Sequence, residues 1–179
     1  MVYGNKKEFL KEYELPSLLA LSYYPELKDE FITFKYASIK STAISSMTFF
    51  SILHKSGKHY VCVFNDNKKT TGLLLSQVPL NAQIALIAHE LAHLVDFKKH
   101  NFLGMAFWGI SYLTPKHRAR IEERADEIVI KRGLGIELYD WIDFVLNHST
   151  ANKQYLEMKR KIYLSPVRVL AEIKKIKQK

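Results

Sequence analysis

Apolar positions change their period near Pro79, and the change divides the chain into two parts of different character. Before it, β-branched and aromatic residues predominate, alternating with polar ones through Ile32, Phe34 and Tyr36, and recurring at the same interval through Tyr60, Cys62 and Phe64. A period of two predicts strands that turn one face to a core. Lys55-Ser56-Gly57-Lys58 lies between the runs Met47 to Leu53 and Tyr60 to Phe64, which predicts a hairpin, and Asn65-Asp66-Asn67 predicts a further turn. Leu73 to Leu75 reads as a short edge strand. The first thirty residues read as short helical pieces interrupted by Pro16 and Pro25, with Leu18, Leu19, Leu21 and Tyr24 available to pack on something larger.

After Pro79 the spacing becomes helical. Ile84, Leu86, Ile87, Leu91, Leu94 and Val95 recur three and four residues apart, Asn81 is placed to cap, and Lys98-Lys99-His100-Asn101 close the run. Basic residues suit the negative end of a helix. A second helix is delimited by Thr114-Pro115 at its start and Arg132-Gly133 at its end. Glu137 to Asn147, Lys153 to Tyr163 and Val167 to Ile176 carry further amphipathic patterns. The chain therefore reads as one α+β domain over residues 1–179, with a strand-rich part over 1–80 and a helical part over 81–179. No internal repeat or interdomain linker divides it.

A content of 47% hydrophobic residues is enough for a core without crosslinks. Cys62 is the single cysteine, so no internal disulfide forms, and its apolar strand setting reads as a buried thiol. The N-terminal residues lack the apolar core of a signal peptide, and these two features together predict a cytoplasmic protein. Phe102 to Leu113 is the nearest approach to a membrane span, but it falls short of the roughly 18 apolar residues required and is broken by Gly104, Gly109 and Ser111. The net charge of +9 favours anionic partners. Lys159-Arg160-Lys161 and the lysines of the tail are spread over helical turns and read as solvated faces in preference to a nucleic-acid surface.

His89-Glu90-Leu91-Ala92-His93 falls in the middle of the helix that follows Pro79. Residues four apart on a helix share a face, so the two imidazoles converge on one metal ion while Glu90 reaches a water beside it. With seven histidines in the chain, such a motif arises by chance about 0.02 times. A buried apolar helix has little reason to carry two imidazoles and a carboxylate unless something offsets their desolvation, and a divalent ion does so. Catalytic zinc takes three protein ligands and keeps one open position, so a third ligand is needed. The extension that places a glycine and a third histidine after the motif is absent: Asp96 and Lys99 occupy those positions, with His100 one residue out of register. A glutamate on the next helix is the alternative, and Glu122-Glu123-Arg124-Ala125-Asp126 offers Glu122 or Glu123, of which Glu122 stacks with Asp126 at i and i+4.

In these residues the chain resembles the gluzincin peptidases, in which a helix bearing H-E-x-x-H is followed by one bearing E-x-x-x-D. The Glu-Glu-Arg-Ala-Asp segment is similar to the form found in CAAX-prenyl endopeptidases, HtpX-type heat-shock peptidases and the small soluble minigluzincins. The resemblance covers Ala82 to Asp126. It implies a zincin-like fold, one Zn2+ held by His89, His93 and Glu122, Asp126 behind a ligand histidine, and Glu90 as the catalytic base. It implies a zinc-dependent endopeptidase acting on a protein or peptide. The large relatives are integral membrane proteins, and this chain lacks their spanning helices.

Two readings compete with a general endopeptidase: a regulatory peptidase that cuts one protein partner, and a zinc-binding module in which Glu90 does no chemistry. For the oxyanion, Tyr112, His117, Tyr139 and His148 are the residues weighed. An extended substrate is expected to add to a strand edge at Tyr60 to Phe64 or Leu73 to Leu75. Phe102 to Ile110, between the two metal helices, reads as core packing, an apolar lid or a shallow hairpin in peripheral contact with a membrane.

Overall fold

The structure, a computed structural model, describes residues 3–48 and 58–178. The first part of the chain forms a mixed four-stranded sheet from β1 (Lys7–Glu8), β2 (Phe31–Ala37), β3 (Ala43–Met47) and β4 (His59–Asn65), in the order β1-β2-β4-β3. β2 runs parallel to β1 and to β4, and β3 runs antiparallel to β4 with Ala43 opposite Phe64 and Met47 opposite Tyr60. β4 is thus an inner strand, and every residue from Tyr60 to Phe64 is buried, as an apolar run with neighbours on both sides requires. On β2 the alternation buries Ile32 and Phe34 but ends at Tyr36, which is exposed and donates its hydroxyl to Glu12 Oε1 at 2.6 Å. The pairing predicted for a hairpin is present, from a strand that starts earlier, at Ala43. The remainder of the predicted strand and its turn, residues 49–57, lie outside the described residues.

Three expectations are corrected. Leu73 to Leu75 is not a strand: Leu74 gives its amide to Gln77 Oε1 at 2.8 Å and a 3-10 turn over Leu75–Gln77 uses the backbone groups a ladder would need, while Leu73 and Leu75 plug the core. Asn81 does not cap; Pro79 holds the cap position, its carbonyl takes the first helical bond from the Gln83 amide, and Asn81 reaches Asp140 Oδ2 at 3.2 Å. Pro16 does not interrupt α1 (Glu14–Ser22), because it lies in the first turn, where its missing N–H has no helical partner to lose.

α2 (Leu80–Lys99) is the central element and packs on α1, β3, α4 (Pro115–Lys131) and α5 (Gly135–Asp143). Its middle is buried on every side, from Ile84 to Phe97. Tyr24 fastens it from outside, fully buried with its hydroxyl donating to the Ala88 carbonyl at 2.7 Å. α4 has the opposite make-up: a polar helix with one buried stripe through Glu122, Ala125, Asp126, Val129 and Ile130. It ends where predicted. Gly133 takes φ +92, the left-handed conformation that lets the Leu134 amide turn back to the Val129 carbonyl. Between α2 and α4, the segment read as core packing, a lid or a hairpin is a single helix, α3 (Phe102–Tyr112), opened by the Asn101 side chain accepting from the Gly104 amide. α5 continues into a π-helical turn over Phe144–His148, and α6 (Lys153–Ile162) and α7 (Pro166–Lys177) complete the helical part. Among the described residues no helix is long and apolar enough to cross a membrane.

Candidate metal centre

α2 and α4 cross so that their buried polar residues face each other. His89 Nε2 lies 3.1 Å from Glu122 Oε2 and 3.2 Å from His93 Nε2, and His93 Nε2 lies 3.9 Å from Glu122 Oε2. These three donor atoms come from residues at most 7% exposed. The separations bracket the roughly 3.3 Å edge of a tetrahedron with zinc–ligand bonds of about 2.0–2.1 Å, so the donor set fits a small divalent cation. Behind it, Asp126 Oδ1 accepts from His89 Nδ1 at 2.8 Å while Asp126 Oδ2 accepts the Leu164 amide at 3.3 Å. That bond keeps the proton on Nδ1 and turns the Nε2 lone pair toward the centre. Glu123 points elsewhere and pairs with Arg168, so of the two glutamates left open by spacing it is Glu122 that meets the histidines.

The electrostatics of the cluster call for a positive charge. Burial alone would lower the pKa of His89, but its bonds to Asp126 and Glu122 outweigh it and hold the imidazolium up to about 10. Burial, with the charged His89 beside it, pulls His93 down to about 4. Burial pushes Glu122 up, yet the hydrogen bond and charge of His89 prevail and keep its carboxyl well below the usual range. The proton on His89 supplies the positive charge that the two buried carboxylates beside it demand, a place that a divalent cation could take.

Glu90 is buried at the wall of a cavity of about 300 Å³ that also receives His93, Glu122, Tyr112 and Tyr163. Burial raises its pKa, partly opposed by His89 and by a hydrogen bond from the Ser45 side chain of β3. β3 is the sheet edge on this cavity, with Ala43, Ile44 and Ser45 in its lining. This corrects the strand-edge expectation: Tyr60 to Phe64 is enclosed by β2 and β3, and Leu73 to Leu75 is not a strand.

Of the four residues weighed for the oxyanion, Tyr112 is at the site and gives its hydroxyl to Glu122 Oε1 at 2.6 Å. His117 is exposed and bonded to Thr114, and His148 pairs with Asp143 away from the cavity. Neither they nor Tyr139 line it. Two residues of the site were not assigned to it by spacing, and for one of them, Lys159, the expectation of a solvated face is corrected, because it is buried. Tyr163 lines the cavity with its ring centroid 5.7 Å from that of His89, and its hydroxyl oxygen accepts from Lys159 Nζ at 2.6 Å. Lys159 is only 3% exposed, its ammonium 4.3 Å from the Tyr163 ring centroid and 5.2 Å from that of Tyr155. The available signal was a lysine at i+4 between two tyrosines, Tyr155-x-x-x-Lys159-x-x-x-Tyr163, on the apolar face of α6.

None of the family models, curated proteins or solved structures compared with this chain matches it.

Proposed function

We propose that the protein is a zinc-dependent endopeptidase of zincin-like fold, with His89, His93 and Glu122 as ligands, Asp126 orienting His89, and Glu90 as general base. The observation that carries this reading is the convergence of three buried donor atoms beside a carboxylate that faces an open cavity. A closed structural site would more often use four ligands, commonly including cysteine, and Cys62 is buried in β4 outside this donor group. A bound zinc ion supplies Lewis acidity, which makes water nucleophilic near neutral pH and polarises a carbonyl.

The rest of the chemistry belongs to the chain. An extended peptide adds to the edge of β3, which fixes its carbonyls along the cavity. Glu90 takes one proton from the attacking water and passes it to the leaving nitrogen, and the second water proton follows to the released amine, so that water and a peptide bond become a carboxylate and an ammonium group. Burial raises its pKa above the usual carboxyl range, the direction that favours holding the proton between its two transfers. Tyr163 is the oxyanion donor: because its oxygen accepts from Lys159, its own proton is free to be given to the cavity. Tyr163→Phe is expected to lower kcat by roughly 10²–10³-fold with metal content unchanged. A rate within threefold of the parent would remove Tyr163 from the reaction.

The reading is tested with protein purified without added metal, by metal analysis and digestion of an unstructured substrate such as β-casein. Zinc near one equivalent, with cleavage abolished by 1,10-phenanthroline and restored by Zn2+, is the expected result. Zinc bound without cleavage would favour the binding module, and no zinc taken up would defeat both.

A further inference from the structure

α3 has two faces with different fates. Trp108 and Tyr112 turn inward, with Trp108 packed edge-on to Phe97 at 4.8 Å between ring centroids and Tyr112 stacked on it at 5.2 Å, and both line the cavity. Leu103, Phe107, Ile110 and Leu113 turn outward at 63%, 70%, 64% and 81% exposure. Their spacing of four, three and three residues draws one stripe along the helix, about 15 Å long. α3 itself carries no charged residue.

The surroundings of the stripe are positively charged. From Phe97 to Ile121 the chain has no Asp or Glu; Lys98 pairs with Glu30 and Arg118 lies over Tyr112 at the cavity, while Lys99 at one end of the helix and Lys116 and Arg120 at the other are exposed. Phe107 borders a groove that it shares with His117, Arg120 and Arg124, the last paired with Asp96 at 3.2 Å. An uncharged helix with an exposed apolar stripe between cationic flanks matches the interface of a bilayer, where apolar side chains enter the acyl boundary and lysine and arginine meet anionic headgroups. A second copy of the chain is disfavoured, because docking stripe on stripe brings like-charged flanks together. A folded protein partner needs roughly 800 Å² on each side, more than four side chains supply, whereas a bilayer needs no matching relief.

We propose that α3 is an interfacial anchor that docks the protein on anionic membrane surfaces through Leu103, Phe107, Ile110 and Leu113. The anchor does not depend on what the cavity catalyses, although the helix that lies on the bilayer is also a wall of that cavity.

Flotation of the full chain with vesicles of phosphatidylglycerol and phosphatidylcholine tests this, against vesicles of phosphatidylcholine alone. The parent is expected to float with the anionic vesicles and not with the neutral ones. Leu103→Ser with Phe107→Ser, at exposed positions where circular dichroism should be unchanged, is expected to weaken binding at least roughly tenfold. Lys116→Gln with Arg120→Gln is expected to weaken it roughly fivefold per charge. Absence of flotation at low salt, equal binding to neutral vesicles, or no effect of the serine variants would overturn the proposal. So would a dimer in size-exclusion chromatography that the serine variants dissociate while the parent fails to float, since the stripe would then belong to a second copy.

Discussion

Glu122→Ala is expected to weaken zinc binding by on the order of 10³-fold or more, while Glu123→Ala leaves it within twofold. The two residues are neighbours on α4, yet one faces His89 and His93 and the other pairs with Arg168 at the surface. Removing a ligand takes away one of three bonds and the negative charge that draws the ion in; removing a surface ion pair costs less than about 1 kcal/mol. The alanine also strands Tyr112, whose hydroxyl then has no carboxylate to receive it, and leaves His89 without one of the two acceptors that raise its pKa. The metal-free variant should therefore lose about 1–3 kcal/mol of stability as well. Because Glu122 is held below its usual pKa, the parent's stability from this group is present above pH 4.5 and is lost as pH falls below it, a dependence the variant should lack. Glu122→Gln, which keeps the shape and an acceptor for Tyr112, separates the two effects. Competition with a zinc indicator dye measures the affinities, and equal losses for Glu122→Ala and Glu123→Ala would defeat the assignment.

What spacing could reveal here was what helix geometry makes local. The four-residue interval from His89 to His93 and that from Glu122 to Asp126 each fix a shared face before anything is known of the fold, and the structure brings those two faces together. The limits of α4 were legible for the same reason, since Thr114-Pro115 and Gly133 act on the backbone beside them. Strand neighbours are set by pairing between distant segments, so the interval from Tyr60 to Cys62 to Phe64 named no neighbours for β4, although the continuous apolar run through Val61 and Val63 was in keeping with the inner position it takes. Leu73 and Leu75 look like a strand because they are buried two apart, but Gln77 captures the backbone between them. In the site itself, Tyr163 and Lys159 stayed hidden because they arrive from α6, which no local signal ties to α2. The apolar composition of Phe102 to Ile110 was plain, whereas its division into an inward face bearing Trp108 and an outward apolar stripe required the helix.

Glu90→Gln is expected to lower peptide hydrolysis by 10³-fold or more while metal content and KM stay within about twofold. Glutamine fills the same volume beside Ser45 and contributes no less to the shape of the cavity, but it cannot take a proton from water or return one to the leaving nitrogen. The residue is not a ligand in this geometry: the atoms that converge on one point belong to His89, His93 and Glu122. Stability should move in the opposite direction to activity. A carboxyl whose pKa is raised on folding opposes folding at every pH above its unfolded value, and burial raises that of Glu90. Glutamine removes this cost, so the metal-free variant is expected to melt higher than the metal-free parent near pH 7, by roughly 2–4 °C for each kcal/mol relieved. The gain should vanish as pH falls below 4.5, where the parent carboxyl is protonated in both states. A buried acid kept at the expense of stability is what a base poised in a cavity requires, and one that served only packing would show the stability gain without the loss of hydrolysis. Hydrolysis of β-casein by Glu90→Gln at more than a tenth of the parent rate would remove Glu90 from the proton transfer, whatever the metal analysis gave.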